Sequence, residues 1–539
     1  MTLLRRAFVL GLILLLAACA STPNAAPPRL LVFIAIDGLP QRQVTAYRDQ
    51  LAPDGFARFL DRGAWYAQAH HGHAFTVTAA GHATMLTGAY PHRTGIVGND
   101  WIAPATGQRV YNTGDAAHHY LDNPTDPLDG TSPRNLRVET LGDVLRREHP
   151  TSRVVAVSGK DRGAILLAGH AGTAYMYMDD SGRIVTSDYY AQALPAWAQA
   201  FNGARPADRF FQSEWRALLP DAAYARSLPD NQPWFSLKRG ALPMRIAEPG
   251  ATTPDKAYYK RLLASPFVDQ MVLDFARAAI AGEQLGRHEA TDILAISLSG
   301  HDYVNHAFSA ESRLSHDHVL QLDRMLQAFF RDLDQTLGAG RYMVALTADH
   351  GFTPAPEYSA SQGRDARRIS GDALVRSVNE ALQQRFGPGR WIRGFSAGGL
   401  VIDRAGTERV PLDTLADATR EALLANPAVA VAYTRRELAA GSPMGAPYFE
   451  AMANSFDAER SPDVAFVLKP YWIATTAGAT HGSPYEYDTH VPLLLWGPGW
   501  IRPGRVDRPV AVVDLAPTLA RLLQLPAPAA AEGRPLPLP

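Results

Sequence analysis

The chain has 539 residues, 46% hydrophobic and 19% charged, the balance of a protein that folds around a large core and not of a disordered one. A formal net charge of -1 gives no global attraction to nucleic acid or to an acidic membrane surface, so partners must be argued from a site. The single cysteine excludes an internal disulfide.

At the N-terminus, MTLLRR is basic and AFVLGLILLLAA is apolar but too short for a comfortable bilayer span, which reads as an export signal outside the fold. Leu16-Ala17-Ala18-Cys19 resembles the bacterial lipobox, so residues 1–19 are expected to be a lipoprotein signal peptide whose Cys19 is lipidated and begins the mature chain. Ala20, where an inner-membrane lipoprotein would carry Asp, points to the outer membrane. Residues 20–29 are a Pro-rich tether. The expectation is a monomer on the periplasmic side of the cell envelope that meets the membrane only through Cys19.

Leu30 to Ile36, LLVFIAI, is a continuous apolar run ending in Asp37-Gly38, as for a buried strand with a polar tip. A helix is expected around Asp54 to Leu60. In HAFTVTAAGHATMLTGAYPHRTGIVGNDW, Thr78 follows an alternating apolar run and precedes small residues that suit a helix, which puts its hydroxyl near a helix N-terminus where free N–H groups favour an anion such as phosphate. Gly98-Asn99-Asp100-Trp101 is a turn that can return the Asn99 amide over the same spot. His70, His71 and His73 precede Thr78 on what reads as a solvated strand or loop and are not assigned to a metal.

A helix near Glu139 to Arg147 leads to the strand Val154 to Val157 and the polar loop Ser158 to Gly163, which carries Lys160 and Arg162. Residues from about 173 to 266, with strand-like TAYMYM and a helical patch at Phe210 to Leu219, read as an insertion beside the main sheet. A helix with Val268, Met271, Val272, Phe275 and Ala279 on one face precedes the strand Ile293 to Leu298, which ends in SGHDYVNHAFS. A long helix with Leu322, Leu326, Phe329 and Leu333 on one stripe precedes the strand Tyr342 to Thr347, which ends in Ala348-Asp349-His350-Gly351. Residues from about 368 to 470 read as a second insertion, of α+β type, with a helix around Asp372 to Arg385 and strands near Leu400 and Val464. A loop from Thr475 to His481, a last strand from Val491 to Trp496, a closing helix from Val513 to Leu523 and a loosely held tail after Pro526 complete the chain. The repeated order of strand, polar tip and helix predicts an α/β fold, an α/β/α sandwich on a mostly parallel sheet, with its site outside the carboxyl ends of the strands.

Asp37, Asp302, His306, Asp349, His350 and His481 all fall at such ends or in the loops beside them. Carboxylates and imidazoles without cysteine suit zinc in a catalytic site. Asp302 and His306, four apart, share one side of a helical turn. Divided into two sets, Asp302, His306 and His481 make one three-ligand site and Asp37, Asp349 and His350 another, each with an open position. Any one of these residues is more simply a cap, turn former or core histidine. The coincidence of six, with a helix-N-terminal threonine and a Lys-x-Arg loop, is what points to chemistry.

These motifs, IAIDG at Asp37, TAAGHATMLTG at Thr78, GIVGNDW at Asn99, SGKDRGA at Lys160 and Arg162, SGHDYVNH at Asp302 and His306, TADHG at Asp349 and His350, and THGSPYEYDTHVPLLLWGPG at His481, resemble in identity and order the alkaline phosphatase superfamily and its PafA-type, threonine-nucleophile periplasmic branch. The resemblance runs from Leu30 to about Pro539, one catalytic domain with its insertions, and departs at Ala79-Ala80, where the family often has Gly-Pro. It implies a hydrolase of small phosphate monoesters with two Zn2+ ions. Thr78 would be the nucleophile, carried on the zinc of Asp37, Asp349 and His350 and forming a phosphothreonine. Asp302, His306 and His481 would hold the zinc that serves the departing oxygen, and Asn99, Lys160 and Arg162 would bind the non-bridging oxygens.

Phosphodiesterases of the nucleotide pyrophosphatase type resemble the chain in ligands, threonine and asparagine. The Lys160-x-Arg162 pair favours a monoester, whose extra charged oxygen it can meet. Diesterase activity and a catalytically dead, lipid-anchored binding protein are the alternatives. Sulfatase chemistry lacks its formylglycine precursor at Thr78.

Overall fold

The structure, a computed structural model, describes residues 26–441 and 445–539; the signal peptide and Cys19 lie outside the described residues. The apolar runs become the strands β1 (Leu30–Ile36), β2 (Ala64–Tyr66), β3 (Val154–Ser158), β4 (Thr173–Tyr177), β5 (Ile184–Val185), β6 (Asp292–Leu298) and β7 (Tyr342–Thr347). Four strands of a smaller module follow, β8 (Ile392–Ser396), β9 (Gly399–Ile402), β10 (Val429–Thr434) and β11 (Val464–Leu468), and then β12 (Leu493–Trp496) and β13 (Gly504–Val506). The main sheet has nine strands in the order β13-β2-β12-β7-β1-β6-β3-β4-β5. From β7 to β4 every pairing is parallel, and β12 enters antiparallel against β7 and β2.

Every residue of β1, β6 and β7 is buried, which explains why these segments are solid runs of apolar residues and not alternating ones. Helices α1 (Thr78–Thr87), α2 (Asp161–Ala168), α3 (Pro266–Gly282), α4 (Gly300–Phe308) and α5 (Arg313–Thr336) pack around the sheet. The in-register pairing of Ala35 with Ser297 and Thr347, and of Ser297 with Ser158, brings the carboxyl ends of β1, β6, β7 and β3 to one level. β1, entering first, is flanked by β6 and β7, and ligand sites of open α/β sheets form at such a switch point.

Residues 369–468 carry their own core, in which Leu374, Val378, Trp391, Leu400, Leu415 and Val464 pack together under the four-stranded sheet β8-β9-β11-β10. The segment from 173 reads differently from expectation. Thr173–Tyr177 pairs parallel with β3 and belongs to the main sheet, so the scaffold extends into the segment expected to be an insertion. Phe210 to Leu219 is not helical either. It forms a short 3-10 turn (Asp208–Phe210) and a two-residue strand (Glu214–Trp215). Trp215 is 1% exposed and donates its indole N–H to Asp317 of α5 at 2.6 Å, while the Leu218 N–H binds the same carboxylate at 2.8 Å. Those tertiary contacts hold the segment extended against its local preference.

The tail after Pro526 is also packed. Leu536 is 1% exposed in the main core, its N–H donates to Thr518 of helix α6 (Leu515–Leu522) at 2.7 Å, and the Tyr66 hydroxyl donates to the Pro537 carbonyl at 2.9 Å. Prolines suit it because an extended strap needs few N–H donors. No helix among the described residues is long and apolar enough to cross a membrane. Leu536→Ala is expected to destabilise the chain by roughly 2–3 kcal/mol in a denaturant titration; an unchanged midpoint would mean that the strap is loose.

Candidate active site

Asp37 follows β1 directly, and its backbone N–H binds the Leu298 carbonyl at 2.9 Å, locking the two strand ends together. Gly38 then turns away with φ +68, and a Cβ there would lie 3.1 Å from Asp302 Oδ1, so only glycine lets Asp37 and Asp302 stand this close. Asp302 and His306 lie on α4, and the His306 Nε2 is 3.3 Å from Asp302 Oδ1. Asp349, past β7, accepts the N–H groups of Gly38 at 3.0 Å and of His350 at 3.1 Å.

The three histidines are aimed in one way. His306 Nδ1 donates to the Ala479 carbonyl at 2.9 Å, His481 Nδ1 to Thr76 at 2.8 Å and His350 Nδ1 to Gly351 at 2.9 Å. Each Nε2 therefore keeps its lone pair and faces carboxylate: His481 Nε2 is 3.5 Å from Asp302 Oδ1, and His350 Nε2 is 3.5 Å from Asp37 Oδ1 and from Asp349 Oδ2. The rings of His350 and His481 stack at 3.5 Å with Phe352 beside them. Burial lowers the pKa of His306 and, more strongly, that of His481, which keeps both neutral and able to coordinate.

Asp37, Asp302 and Asp349 are nearly solvent-free, and the ammonium of Lys160 is the cation that reaches them, 2.8 Å from Asp37 and 2.5 Å from Asp302. Burial pushes the Asp37 carboxyl well up, with repulsion from Asp349 adding to it. Burial also pushes Asp302 up, but Lys160 and the surrounding imidazoles outweigh it and hold that carboxyl well below the ordinary range. Lys160 itself, driven down by burial, is held above its usual value by Asp302 and Asp37.

Asp37 Oδ1, Asp302 Oδ1 and His350 Nε2 are buried acceptors without a hydrogen-bond partner. Convergent acceptors without protons are satisfied by a cation, and carboxylates with imidazoles and no thiolate fit zinc or another first-row dication. The ligand atoms of Asp302, His306 and His481 lie within 4.8 Å of one another, as do those of Asp37, Asp302 and His350. Asp302 lies near both sets, and Asp349 Oδ2, 3.5 Å from His350 Nε2, is a further buried acceptor without a hydrogen-bond partner beside Asp37 and His350. Lys160 bridges Asp302 and Asp37.

Thr78 opens α1 and is 1% exposed. The first turn of that helix is fixed to the site from several directions. Asn99 accepts the Ala79 N–H at 2.9 Å, which turns its amide NH2 free to donate, and Thr76 receives the His481 proton. His82, one turn on, meets the Thr78 carbonyl at 2.9 Å through Nδ1 and the Ser297 hydroxyl at 2.9 Å through Nε2. A Cβ on Gly81 would fall 2.1 Å from the Asp349 carbonyl oxygen, so this glycine sets how closely α1 approaches the β7 tip. Arg162, at the start of α2, donates to the Tyr111 hydroxyl at 3.3 Å, and Tyr111 donates to Asp161 at 2.7 Å. The Lys160 ammonium lies 4.9 Å over the Tyr303 ring.

The structure therefore brings together Asp37, Asp302, His306, Asp349, His350 and His481, with the first turn at Thr78, Asn99 and Lys160 against them and Arg162 on the adjoining helix. Sequence reasoning missed His82, Tyr111 and Tyr303. The Thr78 to His82 spacing of one helical turn could have marked the first; Tyr111 arrives from a distant hairpin with no local signal. His71 and His73, expected to be solvated, are 4% and 0% exposed. His71 Nε2 sits 2.9 Å from the Ala348 carbonyl and backs the Asp349 tip, which accounts for its burial.

Residues 31–490 match the family described as type I phosphodiesterase / nucleotide pyrophosphatase. The chain is 32% identical over 524 residues to alkaline phosphatase PafA of Elizabethkingia meningoseptica, covering 96% of this chain and 95% of the relative. It is also 32% identical over 518 residues, 94% of each chain, to a protein of Myroides odoratus named a calcium-transporting ATPase. The crystal structure of wild-type PafA superposes with a TM-score of 0.87 at 31% identity, covering 96% of this chain and 99% of that one.

Alanine in place of a helical glycine ordinarily gains about 1 kcal/mol. Gly81→Ala is expected to do the reverse and lower the melting temperature by several degrees in a thermal scan; an unchanged or higher value would contradict the close approach of α1 to Asp349.

Proposed function

The chain belongs to the alkaline phosphatase superfamily, in its PafA-type group, and on that premise we propose that this phosphate monoester hydrolase works through the constellation at the strand ends. The observation that carries the reading is the buried set of three carboxylates and three Nε2-directed imidazoles beside the first turn of α1.

Asp302, His306 and His481 would hold one divalent cation, and Asp37, His350 and Asp349 a second. Bound there, a pair of zinc ions would supply Lewis acidity to both ends of an in-line displacement. The protein's own residues supply the rest. The Thr78 hydroxyl gives up its proton and its oxygen attacks phosphorus; the ester P–O bond breaks, and the alcohol leaves with a proton. Water then attacks the phosphothreonine, the Thr78 oxygen recovers a proton and inorganic phosphate departs. Two inversions leave the configuration at phosphorus retained.

Phosphoryl transfer requires its non-bridging oxygens to be met by fixed charge. The Asn99 amide, oriented by Ala79, and the first-turn N–H groups of α1 are one such surface. Lys160, between Asp37 and Asp302, and Arg162, steadied by Tyr111, are the other, and they suit a monoester dianion over a diester. Release of phosphate from ATP, which the name of the Myroides relative includes, is the same displacement at a terminal phosphoryl group. The lipid attachment at Cys19, the periplasmic location and a monomeric state are further proposals that rest on the sequence.

Turnover of p-nitrophenyl phosphate and bis-p-nitrophenyl phosphate, with and without chelator, separates the readings. Chelator-sensitive preference for the monoester is expected. Preference for the diester would favour the phosphodiesterase reading, and tight phosphate binding without turnover the binding protein. Thr78→Ala should leave no phosphoenzyme after acid quench. Replacing both Lys160 and Arg162 by Ala should cost on the order of 100-fold in monoester kcat/KM and much less for the diester; equal losses on both substrates would refute the assignment of that pair.

A further inference from the structure

Two clefts adjoin the site, share no lining residue and differ in chemistry. Lys160, Arg162 and Lys256 line one of about 200 Å³ together with Asp126, Asp129 and Asp161, so charged side chains predominate there. The other, of about 680 Å³, starts at Asn99, His306 and His481 and runs under the separate module of residues 369–468, where its walls include Phe75, Phe395, Phe466 and Trp472. A cleft of this size with aromatic walls and a few polar groups is the form of a small-molecule subsite.

Phe395 is the informative residue. It lies on β8, is 53% exposed and stands edge-on to Phe466 of β11 with ring centroids 6.0 Å apart. The core of the module does not need it, since Leu374, Trp391, Leu400 and Leu415 pack without it. A lone exposed ring would mean little, but Phe395 and Phe466 form a contiguous aromatic surface in the wall of a groove, which is where exposed apolar surface marks a binding site.

The hairpin that carries Phe395 is also fastened to the catalytic donors. The Ile102 N–H, three residues after Asn99, donates to Ser396 Oγ at 2.8 Å. A Cβ on Gly398, at φ +78 in the β8–β9 turn, would lie 3.2 Å from the Phe75 ring, and one on Gly482, the neighbour of His481, would lie 3.3 Å from the same ring. Phe75 is thus wedged between the module's turn and the His481 loop, and the aromatic wall has a fixed position relative to Asn99 and His481.

The geometry points to a leaving-group subsite: the cleft accepts the alcohol half of a phosphate monoester and prefers one that carries a flat aromatic ring system, which Phe395 and Phe466 cover. This inference rests on the phosphatase reading, because it takes the His306 and His481 end as the place from which the alcohol departs. In that arrangement the phosphoryl oxygens face the charged side at Lys160 and Arg162, and the ester's substituent extends away from it into the aromatic cleft. The module of residues 369–468 then acts as a specificity element.

The test measures kcat/KM of the metal-loaded full chain for 2-naphthyl phosphate and for methyl phosphate. For Phe395→Ala, the ratio of the two, relative to that of the unsubstituted chain, is expected to fall about ten-fold, the scale of one lost aromatic contact, and Phe395→Tyr should restore it. Phe395 is half-exposed and outside the module's core, an unchanged melting temperature excludes misfolding as the source of the change, and Phe466→Ala gives a second reading from the partner ring. An unchanged ratio in both alanine variants, with both esters hydrolysed, overturns the subsite and leaves the phosphatase reading standing. Hydrolysis of neither ester by the unsubstituted chain overturns both.

Discussion

Three carboxylates held a few ångströms apart without water are the constraint on which the rest of this structure depends. Burial, with repulsion from Asp349 added, raises the Asp37 pKa, and the Lys160 ammonium offsets only part of the buried charge. A buried excess of charge costs several kcal/mol per ion unless it is compensated. The fold bears that cost because the backbone leaves no alternative: the ends of β1, β6 and β7 are in register, the Asp37 N–H is tied to Leu298, and the Gly38 N–H is tied to Asp349. Dications would supply that compensation, and the imidazoles are arranged to share in binding them.

That arrangement is made by the second atom of each ring. Ala479, Thr76 and Gly351 take the Nδ1 protons of His306, His481 and His350, so three loops of unrelated sequence position enforce one tautomer. Glycines set the spacing: Gly38 admits Asp302, Gly81 admits the Asp349 carbonyl, and Gly478, at φ +65, admits the His306 carbonyl. The nucleophile's helix is then clamped by His82, which joins Thr78, Asp349 and Ser297. The site is rigid because it is built on strand ends and one helix turn, while the aromatic cleft is built on the module and can vary apart from it.

Much of this was legible in the residues. LLVFIAI-DG announces a buried parallel strand with an acid at its tip, because strands covered on both faces have no reason to alternate and the polar residue appears only where the sheet ends. TADHG and SGHDYVNH follow the same logic, and five of the six metal-ligand candidates could be read from these motifs, with His481 from the loop before the last strand. What could not be read depends on distance in sequence. Lys160 pairs with Asp302 from a loop 142 residues away, a contact that no local pattern announces. Tyr111 reaches Arg162 from a hairpin whose own pattern shows nothing, Trp215 is held extended by Asp317, and the Pro-rich tail packs because Thr518 and Tyr66 bind its backbone. His71 looked solvated because its burial is supplied by the β7 tip.

The most direct measurement is the metal content of the full chain, dialysed with zinc and counted by mass spectrometry, with Asp302→Asn compared under the same conditions. Two ions per chain, falling toward one in the variant because Asp302 holds one cation together with His306 and His481, is the predicted result. A chain that binds no dication, or a variant that keeps both, would contradict the account.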